Sequence, residues 1–256
     1  MTTIDPKAID RHQRYVEERA RASYIASIAQ PEAFDVSVAA QVQTPEDKDY
    51  AILNKRLQWQ MDHQLRGLTY KPIDLATAKL MVFTDGSFAN NKDLSSQLGF
   101  VITLVNETNH KEKQFEISGN IVHWSSTKCK RVTRSVLASE IYGMANGFDI
   151  GISLAMTMKI ITERLNLPPI LSSSVRIRTL YECLVKLGTT KEKRLMIDIM
   201  ALRQSYEKRE ITDIRWINGA DNPADAMTKA SPNRALERFI DTNSLTIRVE
   251  GYVQRS

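Results

Sequence analysis

At 256 residues, with 42% hydrophobic and 25% charged side chains, the chain can bury a sizeable core and shows no bias toward disorder or fibre. A formal charge of +5 permits a polyanionic partner without requiring one. Two cysteines, Cys129 and Cys183, exclude a disulfide scaffold, and no apolar run reaches the roughly 18 residues of a membrane span.

The opening stretch, MTTIDPKAIDRHQRYVEERARA, is polar and charged, unlike a secretory leader. Residues 5–30 read as a charged helix, with Asp5 as N-cap, Pro6 at its first position and Ala20, Tyr24, Ile25 and Ile28 as its apolar stripe. A second helix is expected over 45–63, with Leu53, Leu57 and Met61 on one face and Ile52 and Trp59 widening it. Residues 67–73 (GLTYKPI) form a short strand or a linker, and a domain boundary is placed near 72–78.

From there the pattern is α/β. Leu80-Met81-Val82-Phe83-Thr84 runs into Asp85, Gly86 and Ser87, a strand buried on both faces that delivers a carboxylate at its exit. Residues 98–105 (LGFVITLV) and 115–122 give two more strands around a polar turn at 106–113, an antiparallel meander. A long helix is expected over 132–164, continuous or broken near 143–151, then a brief strand from Ile170. Helices over 180–187 and 191–208, a strand at 212–217 (TDIRWI) and a helical start at Asn222-Pro223-Ala224-Asp225 follow. Residues 245–253 are a weak terminal strand or a tail.

Hydrolysis assisted by two divalent cations needs carboxylates that converge from separate elements, and magnesium favours such oxygen ligands. Asp85 ends a strand, Glu140 lies inside the following helix, and Asp225 opens a helical segment. Singly, Glu140 also reads as an exposed helix acid and Asp225 as a first-turn acid favoured by the helix dipole. Together they fall in a β-β-β-α-β-α-β order.

TDGSFANNKDLSSQLGFVI, SSTKCKRVTRSVLASEIYG and NPADAMTK together resemble the ribonuclease H domain of copia-type retrotransposon polyproteins. RASYIASIAQPEAFDVSVAAQ and LNKRLQWQMDHQLRGLTY are similar to the end of the reverse transcriptase and its connection segment. The resemblance implies a ribonuclease-H-like mixed five-stranded sheet with flanking helices, preceded by a smaller helical segment. Residues 1–77 would be thumb- or connection-like, 78–230 the ribonuclease-H-like domain, and 231–256 a tail. It implies Asp85, Glu140 and Asp225 as catalytic, metal-binding acids. It also implies Mg²⁺ or Mn²⁺ as cofactor, and hydrolysis of the RNA strand of an RNA/DNA hybrid. The rest of a reverse transcriptase polyprotein is a further expected partner and a membrane is not. The expected location is cytoplasmic or nuclear, or a virus-like particle for an active element.

In one place the chain departs from that pattern. The family carries a further acid directly after the fourth strand, whereas here there is no Asp or Glu between Glu163 and Glu182. Counting from either side puts Arg176 or Ser174 at the vacant position. An arginine there adds positive charge beside cations that it repels, so metal binding is expected to be weak and cleavage slow or absent. Histidines occur only at 12, 63, 110 and 123, none in the stretch before Asp225. Ser125, Ser126, Thr127, Lys128, Lys130, Arg131 and Arg134 are candidate contacts to nucleic-acid phosphates, or alternatively a solvated basic helix start. Trp124 and Trp216 are expected in the core. The competing reading is a non-catalytic nucleic-acid-binding or relic domain, and a third is a structural connection piece.

Overall fold

In the computed structural model the described residues are 1–32, 34–111, 113–176 and 193–252, with side chains at 109–111 and 171–176 outside the description. The helix expected over 180–187 lies outside the described residues.

The first strand, β1 (Lys79–Ser87), is apolar on both faces because both are covered. Met81 and Phe83 enter one core, whereas Leu80 and Val82 enter another. Its neighbours are β2 (Gln97–Lys111) and β3 (Gln114–Lys128), paired antiparallel. Both strands run well into the stretch expected as a turn. Polarity does not end the ladder there: the Glu107 side chain is buried in an ion pair with Arg215 and Lys79, so a charged residue continues the strand.

The helix α4 (Val136–Arg164) follows, behind three N-terminal helices: α1 (Arg11–Ile28), α2 (Phe34–Gln41) and α3 (Asp47–Asp62). Ser135 caps α4 by accepting from the Ala138 amide at 3.2 Å. The helix is continuous through 143–151. Gly143, Gly147 and Gly151 form one stripe along which α4 lies against β1, and a Cβ at Gly151 would stand 2.7 Å from Val82 Cγ2.

Next come β4 (Leu171–Arg176), α5 (Leu195–Glu207) and β5 (Asp213–Ile217). β4 is parallel to both β1 and β5. Two 3-10 turns, Gly219–Asp221 and Pro223–Met227, replace the helical start expected at Asn222, and lead to α6 (Ala235–Thr242) and β6 (Ser244–Tyr252). The mixed sheet and flanking helices are those expected, and a sixth strand joins the five. β6 pairs antiparallel with β3 and β5, closing a barrel in the order β1-β2-β3-β6-β5-β4. Residues 235–252, expected within a tail, thus complete the main core through Leu236, Phe239, Leu245, Ile247 and Val249.

The N-terminal helices have a core of their own, built from Ile4, Tyr15, Ala22, Ala26, Val36, Tyr50, Leu53 and Leu57. Leu53 and Leu57 face it as expected, but α1 turns a different stripe inward. Tyr15, Glu18, Ala22 and Ala26 are buried, whereas Tyr24 and Ile28 are exposed. Alanines allow close helix approach, and Tyr15 meets Tyr50 edge-on at 5.3 Å between ring centroids. The Asp5–Pro6 cap closes only a turn, with the Lys7 amide donating to Asp5 Oδ1 at 2.9 Å, so α1 starts later than expected. Trp124 packs against the main core, as expected, and its Nε1 donates to Ala26 O at 2.9 Å.

Candidate active site

Asp85, Glu140 and Asp225 arise from three different elements, and each is at least nine-tenths buried. Asp85 lies near the exit of β1, opposite Gly99 of β2. Just beyond it, Gly86 permits backbone contact with α4: a Cβ there would stand 2.4 Å from Ser139 O and 2.9 Å from Glu140 N. Glu140 therefore enters the site in the second turn of α4, directly over the end of β1.

The turn that carries Asp225 is fastened to β1 by Asn222. Its Nδ2 donates to Thr84 O at 3.1 Å, while its Oδ1 accepts from the Ala224 amide at 3.1 Å. The absent side chain at Gly99 makes room for this turn, since a Cβ would stand 2.3 Å from Met227 Cβ. The rest of the NPADAMTK motif then closes on the acids. The Thr228 hydroxyl donates to Asp85 Oδ2, and the Lys229 ammonium donates to Asp225 Oδ1. Asp225 Oδ2 accepts the Asn233 amide at 2.8 Å.

Lys229 reports on the charge of the whole cluster. Burial pulls its ammonium down, but the hydrogen bond to Asp225 and the fields of Asp85, Asp225 and Glu140 outweigh that and hold it above the ordinary lysine range. All three predicted acids thus act on a single cation. Thr228, Lys229, Asn222 and Asn233 are the residues that sequence reasoning passed over. For Asn222, Thr228 and Lys229 the signal was present in the motif, where only the acid was given a role, whereas Asn233 lies beyond it.

A divalent ion would need several of these oxygens at once. Among the described residues no three His, Cys, Asp or Glu side chains are grouped to hold a metal ion. With Asp85 engaged by Thr228 and both Asp225 oxygens engaged by Lys229 and Asn233, the donor set in this arrangement does not fit a divalent cation.

Ser174 and Arg176, the two candidates for the expected further acid position, both lie on β4. Phe83 pairs with Val175 and Val82 with Ser174. Arg176, which ends β4, is therefore the candidate nearer the level of Asp85, and Ser174 sits further back.

The predicted phosphate contacts divide. Ser126 is used internally: its hydroxyl donates to Met227 O at 2.6 Å and accepts from Gln97 Nε2 at 2.9 Å, and its carbonyl accepts from Ser37 Oγ at 2.7 Å. Ser125 is half-buried. Thr127, Lys128, Lys130, Arg131 and Arg134 are exposed, with Lys128 paired to Asp93 and Arg131 to Asp198 at 3.0 Å. A cleft of about 430 Å³ opens among Thr127, Lys128, Lys130, Arg131 and Tyr142, with the Arg131 guanidinium 4.9 Å from the centre of the Tyr142 ring.

No family model and no curated relative matches the chain. Among solved structures it is similar to LC11-RNase H1, isolated from compost by a metagenomic approach and solved in complex with an RNA/DNA hybrid. The identity is 19% and the TM-score 0.40, over 62% of this chain and 99% of that one. RNase H1 from the halophilic archaeon Halobacterium salinarum NRC-1 gives 15% identity and a TM-score of 0.40, over 62% of this chain and 98% of that one. The protease-reverse transcriptase of prototype foamy virus gives 12% identity and 0.34, over 69% of this chain and 25% of that one. Among the described residues no helix is long and apolar enough to cross a membrane.

Proposed function

We propose that this chain is a ribonuclease-H-like domain of copia-type retroelement origin, joined near residues 72–78 to a segment derived from a reverse transcriptase. In this reading it binds RNA/DNA hybrids and cleaves their RNA strand slowly or not at all. The observation that carries the proposal is the convergence of three elements: Thr228 and Lys229 of one turn bond Asp85 and Asp225, and the backbone of Glu140 lies against Gly86 at the end of β1. Three buried carboxylates brought to one place are costly for stability, and an ancestral catalytic role gives a reason for them.

Impairment follows from charge and donor count. No Asp or Glu occurs between Glu163 and Glu182, and an arginine ends the strand next to Asp85. Two of the three remaining carboxylates are already engaged by protein donors. The same facts favour a second reading, a non-catalytic module that retains only nucleic-acid binding. Its phosphate contacts would be the exposed Lys130, Arg131 and Arg134 ahead of α4.

The test is cleavage of an RNA/DNA hybrid with Mg²⁺ or Mn²⁺ by the natural chain and by the Arg176→Asp and Ser174→Asp variants. The natural chain is expected to cleave little, and Arg176→Asp, nearer Asp85, to recover more activity than Ser174→Asp. Vigorous cleavage by the natural chain, abolished by Asp85→Asn, would overturn the impairment. Hybrid binding that weakens steeply with salt but yields no cleavage in any variant would favour the binding module.

A further inference from the structure

The Thr228–Lys229 pair does more than continue the turn. Thr228 Oγ1 occupies Asp85 Oδ2, and Lys229 Nζ occupies Asp225 Oδ1. Lys229 follows Asp225 by four residues, and the 3-10 turn Pro223–Met227 bends the chain so that the ammonium returns to the carboxylate. Its side chain is about half exposed, so it also has an outward path into solvent. The Asn233 amide donates to the remaining Asp225 oxygen.

We propose that Lys229 is the resident cation of this carboxylate site, and that a divalent ion enters only by displacing it. The proposal rests on the three acids forming one site. Without Lys229, Asp225 would lose its ion-pair partner and the field of that ammonium would be withdrawn from Asp85 and Glu140, a situation that favours an external cation. With Lys229 in place, an incoming ion must break its contact with Asp225 and also meet its positive charge. Thr228 is the positioning residue, because its bond to Asp85 sets where the following lysine lies. The site would therefore discriminate by charge density. A divalent cation able to outcompete an ammonium could enter, whereas a monovalent one would gain nothing.

The test uses the full chain with Mn²⁺ as the probe, followed by the signal of free Mn²⁺ in solution and by thermal unfolding. Lys229→Met is expected to bind Mn²⁺ at least about tenfold more tightly than the natural chain, the least expected from removing one charge at ion-pair range. Lys229→Arg, which keeps the charge, is expected to bind as weakly as the natural chain. Should Lys229→Met fail to fold without metal, refolding upon Mn²⁺ addition is the supporting result and failure to refold the contrary one. Equal Mn²⁺ affinity in the natural chain and Lys229→Met would overturn the proposal.

A double-mutant cycle between Lys229→Met and Asp85→Asn, read by urea unfolding, separates the two levels. Coupling without a gain in Mn²⁺ affinity removes the resident-cation role but leaves the shared site. Absence of coupling removes the shared site and the proposal with it.

Discussion

Glu107 shows how far one buried charge can reorganise a strand. It sits on β2 where the polar residues begin, and its carboxylate takes both Arg215 Nη1 at 2.7 Å and Nη2 at 3.0 Å, with Lys79 Nζ at 2.7 Å. Arg215 in turn lies over the Phe115 ring, 4.5 Å from its centre. Burial pushes the Glu107 carboxyl up, but the hydrogen bonds and fields of Arg215 and Lys79 outweigh it and leave the group below its ordinary value of 4.5. A folded-state value lowered in this way gives stability that is present above the unfolded value and is lost as pH falls through the folded one. Glu107→Gln should cost about 3 kcal/mol near neutrality, because it leaves Arg215 buried with its main partner neutralised. The difference from the natural chain should narrow below pH 4.5, measured by urea unfolding across an acid series. A constant difference through that range would show that the loss is one of packing. The same scale sets what sequence could show of the site. The three acids stood out because each follows its own local pattern. Thr228, Lys229 and Asn233 did not, because their partners are fixed by the path of a 3-10 turn that no periodicity marks.

At the scale of elements, legibility followed burial. β1, with both faces covered, was plain from its unbroken apolar run. The far halves of β2 and β3 were not, since their ladder carries Glu107, Thr108 and Glu116 opposite one another or nearby. α1 misled for a related reason: its buried face is alanine, glutamate and tyrosine, so larger apolar residues on the exposed side defined a false stripe. β6 is the clearest case. Its burial alternates strictly, inside at Leu245, Ile247 and Val249 and outside between them, but an isolated short strand at a chain end gives little to distinguish it from a tail. Its importance lies in what it covers, since it pairs with Gln114–Ser118 of β3 and with Arg215–Ile217 of β5. Ending the chain at Asn243 should therefore expose two strand edges and part of the main core at once. The truncated protein is expected to self-associate at micromolar concentration in size-exclusion chromatography, whereas the natural chain elutes at one smaller size. A truncated chain that remained as small and as stable would mean that β6 is an addition to a sheet complete without it.

For the molecule as a whole, the decisive boundary is the one between the N-terminal helices and the barrel. Each side has its own apolar core, and a set of hydrogen bonds and ion pairs links the two. Ser37 donates to Ser126 O, Gln41 to Gln97 Oε1 at 3.1 Å, Trp124 to Ala26 O, and Arg66 to Asp241 Oδ1 at 2.8 Å. Lys92, from the loop between β1 and β2, reaches back to Asp49 of α3 at 2.6 Å. Bonds of this kind exchange for water at a net cost of only about 0.5–1.5 kcal/mol each, far less than opening either apolar core. The helices should thus open as a unit without unfolding the barrel. In native-state hydrogen exchange, amides of α1–α3 are expected to exchange together and before those of β1 and β2. Arg66→Ala should speed the first group alone, because it removes links to both Glu32 and Asp241 while leaving the barrel core intact. Exchange of helices and barrel at one common rate, slowed or accelerated together by that substitution, would instead join the two cores into a single cooperative body. The carboxylate site would then depend on the helices for its stability, although none of its three acids lies within them.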